Sequence, residues 1–253
     1  MSKQKQDPSI EETEEEFITR LTQPRIWSTL NTSYFIQSMP EERLEEVLDL
    51  FKSYYVYEEA LCANSGLVND KESFDQFLEL IKTWILDTLT TVAIEKNSGK
   101  IVGVLVCRVC SEEDHSLDFS RLRLYKGKIW NEIQYFKNNL SQNVDIYKIY
   151  KTSVFCQVYA WYVLQSHRDQ GIGKKLLETV VAHQMPEMKY FGCNAIFGIF
   201  TSNKSQCIAE SLGFKTLEEA KYGERAIENN VQYLNNRKIA ENVNIKAMAM
   251  VIN

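Results

Sequence analysis

The stretch "HRDQGIGKKLLETVVAHQ", His167 to Gln184, decides the fold. Gly171 and Gly173 stand between a mainly apolar run and a run of helical spacing, in which Leu176, Leu177, Val180 and Val181 share one face. A strand, then glycines, then a helix start is a place where unpaired backbone N–H groups and the helix dipole can hold a phosphate. Three phosphate-binding patterns compete, and spacing separates them. A dinucleotide fingerprint needs a third Gly or Ala where this chain has Leu176. A P-loop needs four residues between its glycines and Ser or Thr after its Lys; here one residue separates the glycines and Lys175 follows Lys174. The third pattern, [QR]-x-x-G-x-[GA], is satisfied by Arg168, Gly171 and Gly173.

Outward from this stretch, strands and helices mix. "SVFCQVYAWYVL" just upstream is β-branched and aromatic throughout, which predicts a central buried strand. Downstream, "AIFGIF" reads as a second buried strand, "NKSQCIAESL" as a short helix stopped near Gly213, and "NIKAMAMVI" as a last strand. The runs of "TTVAIEKNSGKIVGVLVCRVC" flank a turn rich in Asn, Ser and Gly, so this is a β-hairpin, and the sheet is expected to begin there. Before it, "TSYFIQSMPEERLEEVLDLFKSYY" predicts a short strand feeding a helix through a Ser38/Glu41 capping box. Helical spacing recurs over Phe74 to Ile85 and over Ile129, Ile133, Phe136 and Leu140. With no internal repeat and no Pro/Gly-rich linker, the expectation is a single α/β domain over residues 26–253 with a mixed sheet. Residues 1–25, with the cluster "EETEEE", are expected to form a disordered acidic tail.

Composition bounds the function. At 44% hydrophobic and 25% charged residues the chain is an ordinary globular protein. No apolar run approaches the roughly 18 residues a bilayer helix needs, and the N-terminus lacks the apolar core of a secretory signal, so a cytoplasmic protein is expected. A net charge of -5 argues against nucleic acid as a partner and suits a small cationic ligand slightly better. The six cysteines do not resemble a secreted disulfide framework; reduced, mostly buried thiols are expected, Cys207 among the buried ones. Cys107 and Cys110 make a lone CxxC without a second pair or zinc-finger histidines, so no metal site is expected.

The R-D-Q-G-I-G run resembles the pyrophosphate-binding motif of the GNAT superfamily, the acetyl-CoA-dependent N-acetyltransferases. Those proteins carry it between their fourth strand and the following helix, where the reading above independently places it. The resemblance extends over nearly the whole chain after the tail. "YVYEEALCANSGL" is similar to the F-x-x-D-E-P-L-N segment of insect arylalkylamine N-acetyltransferases, with Ala60 in place of Pro. "TSNKSQCIAESLGF" resembles their S-x-x-x-S segment, and "NVNIKAMAM" their closing H-x-x-I-x-V-M-A-K with Asn242 in place of His. "IWNEIQYFKNNLSQNVDIY" fits the helix inserted before the central strand.

The resemblance implies a GNAT fold: a mixed, mostly antiparallel central sheet flanked by helices and splayed at the fourth strand. It implies transfer of an acetyl group from acetyl-CoA to a primary amine, by direct attack in a ternary complex and without a metal. The acceptor would be an arylalkylamine such as dopamine, serotonin or tryptamine, or in the alternative agmatine or a polyamine; a catalytically silent acyl-CoA-binding module is the non-enzyme alternative. By the same resemblance Glu59 is the base, with Glu58 its neighbour and competitor, Thr201 and Ser205 assist the amine and the leaving thiolate, and Val163 donates its N–H to the thioester. Arg168, Asp169, Gln170, Gly171, Ile172, Gly173 and Lys174 would seat the pyrophosphate, with Asn203 also on acetyl-CoA. The Tyr that protonates the thiolate in many GNAT enzymes is excluded, because Ala209 stands at its position. For Ser205, local capping of its own short helix is an equal alternative. A monomer is expected.

Overall fold

A computed structural model describes residues 24–86, 89–114, 120, 124–222 and 244–252. Its strands are β1 (Ile26–Leu30), β2 (Tyr34–Ser38), β3 (Thr91–Glu95), β4 (Ile101–Ser111), β5 (Val154–Val163), β6 (Cys193–Phe200), β7 (Lys215–Lys221) and β8 (Asn244–Val251). They form one sheet in the order β1-β2-β3-β4-β5-β6-β8-β7. Every neighbouring pair is antiparallel except β5 and β6, which run parallel. The expected mixed, mostly antiparallel sheet is therefore present. It is covered on both faces, which explains why β4 reads as an unbroken apolar run and not as an alternating one.

On one face lie α1 (Leu44–Leu50), α2 (Val56–Glu58), α3 (Ala60–Ser65), α4 (Lys71–Ile85), α5 (Lys128–Gln142) and α6 (Ile146–Tyr150), whose apolar sides join one core with Val104, Val106, Phe155 and Phe197. On the other face α7 (Ile172–Thr179), α8 (Met185–Met188) and α9 (Asn203–Ser211) pack against Leu105, Cys107, Cys156 and Ile196. Among the described residues no helix is long and apolar enough to cross a membrane.

Two expectations are corrected, and one strand is not anticipated by the sequence. The sheet begins before the β3–β4 hairpin: β1 and β2 form an earlier hairpin that pairs onto β3, so the central strand is fifth in chain order and not fourth. The capping box is not formed, because Ser38 is the last residue of β2 and its Oγ accepts from Trp27 Nε1 at 2.9 Å. The chain instead enters α1 through Pro40 and a single 3-10 turn, Glu41–Arg43. Strand β7, "KTLEEAK", has no sequence signature because it lies at the sheet edge, where charged residues are tolerated and block further pairing. The proposed acidic tail lies outside the described residues up to 23; Arg25 stacks 4.0 Å from the Trp27 ring and pairs with Glu187 at 2.6 Å.

The feature that makes room for a site is the parting of β5 from β6. Their register runs from Val154↔Cys193 to Val158↔Gly198 and stops there. Beyond it β5 stays with β4 as far as Val163↔Gly103, while β6 stays with β8 as far as Phe200↔Lys246. Gly198 sits at the point of separation, where a Cβ would stand 2.9 Å from the Phe200 ring and 3.1 Å from Val158 Cβ. That ring fills the base of the gap against Trp161 and Phe214, with centroids 6.2 Å and 5.7 Å away.

Candidate active site

The register of the β4–β5 ladder decides which backbone groups face the gap. Leu164 N–H donates to Val102 O at 2.9 Å, so Gly103 and Val163, one step back, are a non-hydrogen-bonded pair. The N–H and C=O of Val163 therefore point away from β4, to the side that β6 has left. The C=O accepts from Arg168 Nε at 2.9 Å. The N–H beside it faces the gap.

From Val163 the chain makes a tight turn, Gln165–His167, and reaches α7 through Asp169 at φ 60 and Gly171 at φ 84. Two left-handed residues so close together aim successive N–H groups into one concavity, and Gly171 takes that conformation without steric cost. α7 has no side-chain cap, so its first N–H groups are available to an anion. The loop is held from both sides: Tyr34 Oη donates to Gln170 Oε1 at 2.8 Å, and Lys204 Nζ reaches Asp169 at 2.9 Å. The side chains of Gln170 and Ile172 are thus committed elsewhere, the latter to the core, leaving their backbones for a ligand. Lys174 is exposed, and Asn203 is exposed at the start of α9. At Gly173 a Cβ would meet the Trp161 indole at an ordinary 3.5 Å, so nothing within the protein demands glycine there. The residues fit a pyrophosphate by the chemistry of their donors.

Glu59 owes its position to a break in the helix. α1 continues through a wide turn, Phe51–Tyr55, into α2; at Glu59 the backbone becomes extended, φ -66 and ψ 133, and α3 starts afresh. Glu59 caps α3, its Oε2 accepting from Cys62 N at 2.8 Å. Its Oε1 is buried with no hydrogen-bond partner. Tyr55, Cys62 and Tyr222 surround the carboxylate. Each is pushed well above its ordinary pKa, first by burial and next, in each case, by the Glu59 charge. Glu58 has a different occupation: its carboxylate is paired with the Arg168 guanidinium, which also lies 5.4 Å from the centroid of the Tyr162 ring.

Across the gap, Thr201 follows β6 directly, and its C=O accepts from Tyr222 Oη at 2.7 Å. Tyr222 is fully buried and completes the wall around Glu59. No sequence signal marks it, since it ends a charged edge strand. Ser205 lies in the first turn of α9, where its Oγ donates to Ser202 O at 2.8 Å and its N–H to Ser202 Oγ at 3.2 Å. That is the local capping arrangement. Cys207, expected in the core, is exposed; the other five thiols are buried, and none of the six forms a disulfide. Its helix presents Gln206 and Ala209 inward and leaves position 207 outside. Among the described residues no cluster of His, Cys, Asp or Glu could hold a metal.

Comparison with known proteins agrees with the fold. The chain matches the profile of the acetyltransferase (GNAT) family over residues 44–214. No curated protein matches its sequence. Among solved structures, a candidate arylalkylamine N-acetyltransferase 7 from the yellow fever mosquito Aedes aegypti superposes with a TM-score of 0.76 at 22% identity, covering 91% of this chain and 96% of its own. Arylalkylamine N-acetyltransferase 2 of Aedes aegypti gives 0.75 at 18% identity, with 87% and 99% covered. The Drosophila melanogaster polyamine N-acetyltransferase, which forms N-acetylagmatine, gives 0.72 at 17%, with 86% and 99% covered. At these identities the likeness is one of fold.

Proposed function

The chain belongs to the GNAT acetyltransferase family, and from that premise we propose that it transfers the acetyl group of acetyl-CoA to the primary amine of an arylalkylamine. The carrying observation is Glu59, with one carboxylate oxygen fixed by the Cys62 N–H and the other buried and unpartnered beside the opened sheet. A primary alkylamine has a pKa near that of lysine, about 10.4, so at pH 7 only on the order of one molecule in a thousand is the neutral nucleophile. Glu59 takes the surplus proton, through a water, as the amine attacks.

Each remaining part has one task. The N–H groups of residues 168–174 and the start of α7 seat the pyrophosphate, with Lys174 and Asn203 beside it. The Val163 N–H polarises the thioester carbonyl, a donor of the kind worth roughly 2.7–4 kcal/mol of transition-state stabilisation. Thr201 and Ser205 border the leaving thiolate and the incoming amine. The rings of Tyr55, Phe77 and Tyr162 pack on one another in the core beside Glu59, and the pairing of Glu58 with Arg168 leaves Glu59 as the carboxylate open to a monoamine.

The test is thiol release from acetyl-CoA by the purified protein over a panel of tryptamine, dopamine, serotonin, agmatine and spermidine. Turnover with the aromatic amines supports the assignment. Turnover confined to agmatine or spermidine transfers it to aliphatic cations, and acetyl-CoA binding without turnover on any amine identifies a silent acyl-CoA-binding module.

A further inference from the structure

The loop between β5 and α7 holds a conformation that one of its residues does not favour. Asp169 sits at φ 60, in the left-handed region that a residue with a Cβ enters at a cost. A residue so placed persists only where its surroundings over-determine it. Backbone bonds hold the two ends of the turn, His167 N–H to Leu164 O and Lys175 N–H to Gly171 O, each at 2.9 Å. Lys204 pairs with the Asp169 carboxylate, but the two side chains are 75% and 81% exposed, and an ion pair so open to water is worth little.

The buried anchor comes from β2. Tyr34, the first residue of that strand, is 3% exposed and turns its ring onto the face that carries α7. Its hydroxyl has one proton, which goes to Gln170 Oε1 at 2.8 Å, an atom that can only accept. The phenol oxygen therefore takes its other bond from the Nδ1–H of His167, 3.1 Å away, whose ring stands edge-on to its own at 84°. Glu95, opposite Tyr34 on β3, lies 4.0 Å from the same nitrogen, so a proton on Nδ1 is favoured from both sides.

One phenol thus ties the residue two before Asp169 to the residue one after it. Resting on the pyrophosphate seat proposed above, we propose that Tyr34 is a positioning residue for acetyl-CoA, holding Asp169 left-handed before the ligand arrives so that the N–H groups of the loop already converge. It touches no reacting atom. Pre-organisation of this kind tightens binding because the loop need not be ordered when the ligand arrives.

The experiment is Tyr34→Phe, which keeps the buried ring and removes only the hydroxyl, with acetyl-CoA Kd by titration calorimetry and acetyl-CoA KM, kcat and Tm measured beside the wild type. The expected result is a Kd and KM for acetyl-CoA raised roughly fivefold, as for loss of one net hydrogen bond, with kcat at saturating acetyl-CoA within about twofold. Gln170→Leu tests the same bond from its exposed end without disturbing the core, and it should raise Kd by a similar factor. In that background Tyr34→Phe should cost less than in the wild type, since one of its two bonds is already gone. An unchanged Kd in Tyr34→Phe overturns the inference. So does a loss of equal size in both backgrounds, or a fall in kcat without a rise in Kd, either of which would make the hydroxyl a part of general packing. Wild-type protein that binds no acetyl-CoA sinks the pyrophosphate reading and this inference with it; wild-type binding matched by the variant sinks this inference alone.

Discussion

Glu59 has two jobs in this structure, and paired substitutions separate them. Its Oε2 caps α3 through the Cys62 N–H at 2.8 Å; its Oε1 is the proposed base. Glu59→Gln keeps an oxygen for the cap but cannot take a proton. Glu59→Ala loses both. Loss of an N-cap costs about 1 kcal/mol, which in a chain of this length lowers Tm by roughly 2–4 °C, so Ala should show that drop and Gln should not. Loss of a general base costs about 10²–10⁴ in rate where the base is needed. Both variants should therefore lose at least tenfold in kcat/KM at pH 7. The deficit must shrink with pH, because the neutral fraction of the amine rises about tenfold per unit until its pKa near 10.4 and a base then has nothing left to do. The assay is initial thiol release from pH 7 to 10 for wild type and both variants, with Tm by calorimetry. A Gln variant within twofold of wild type at pH 7 refutes the base assignment, and a deficit constant across the pH range shows that Glu59 acts only through the fold.

Gly171→Ala forces a side chain onto a backbone at φ 84, which costs about 1–2 kcal/mol; acetyl-CoA KM should rise well above its wild-type value while amine KM stays put, and equal acetyl-CoA KM values would remove this loop from the pyrophosphate site. Asp70 caps α4, its Oδ1 accepting from Ser73 N at 3.5 Å, while its Oδ2 accepts from Ser73 Oγ at 2.6 Å and from Ile129 N at 3.4 Å, and these hydrogen bonds hold its pKa below the ordinary value. A carboxyl lowered in the folded state gives stability that is present above its unfolded pKa, about 3.9, and is lost as pH falls through the folded value. Asp70→Asn should accordingly lower Tm at pH 7 by a few degrees and flatten the acid limb of Tm against pH, whereas an unchanged acid limb would show that Asp70 does not contribute to it.

The parts of this molecule that announce themselves in sequence are those whose chemistry is local. The turn before α7 is legible because Arg168, Gly171 and Gly173 lie within six residues and one backbone shape satisfies all three. The strands β4 and β6 are legible because burial on both faces leaves continuous apolar runs, and β5, whose burial alternates, is legible by its β-branched and aromatic residues. Ser38 misleads because a capping serine and a strand-end serine look alike until Trp27, eleven residues away, claims its hydroxyl. β7 and Tyr222 are silent because their pairing and contacts are wholly non-local: β7 pairs with the last strand, and Tyr222 bonds to a carbonyl of residue 201. Ser205 is half legible, since the same spacing that matches a known hydroxyl position also matches an ordinary helix cap.

What joins these pieces is the parting of β5 from β6. Pairing that continued past Gly198 would consume the Val163 N–H and C=O in an ordinary ladder. Where it stops, those two groups become available to side chains and ligands, and the protein uses the carbonyl itself, through Arg168. The same guanidinium holds Glu58, so one residue of the phosphate loop touches both the strand edge and the helix that ends at Glu59. Two adjacent glutamates are thereby made chemically unequal: one is neutralised by a partner, and its neighbour keeps an oxygen buried and unpaired. A run such as "YEEA" cannot show that asymmetry, because it is imposed by a residue more than a hundred positions away. It does follow from the sheet opening at Gly198, which lets Arg168 reach back over Tyr162 toward α2.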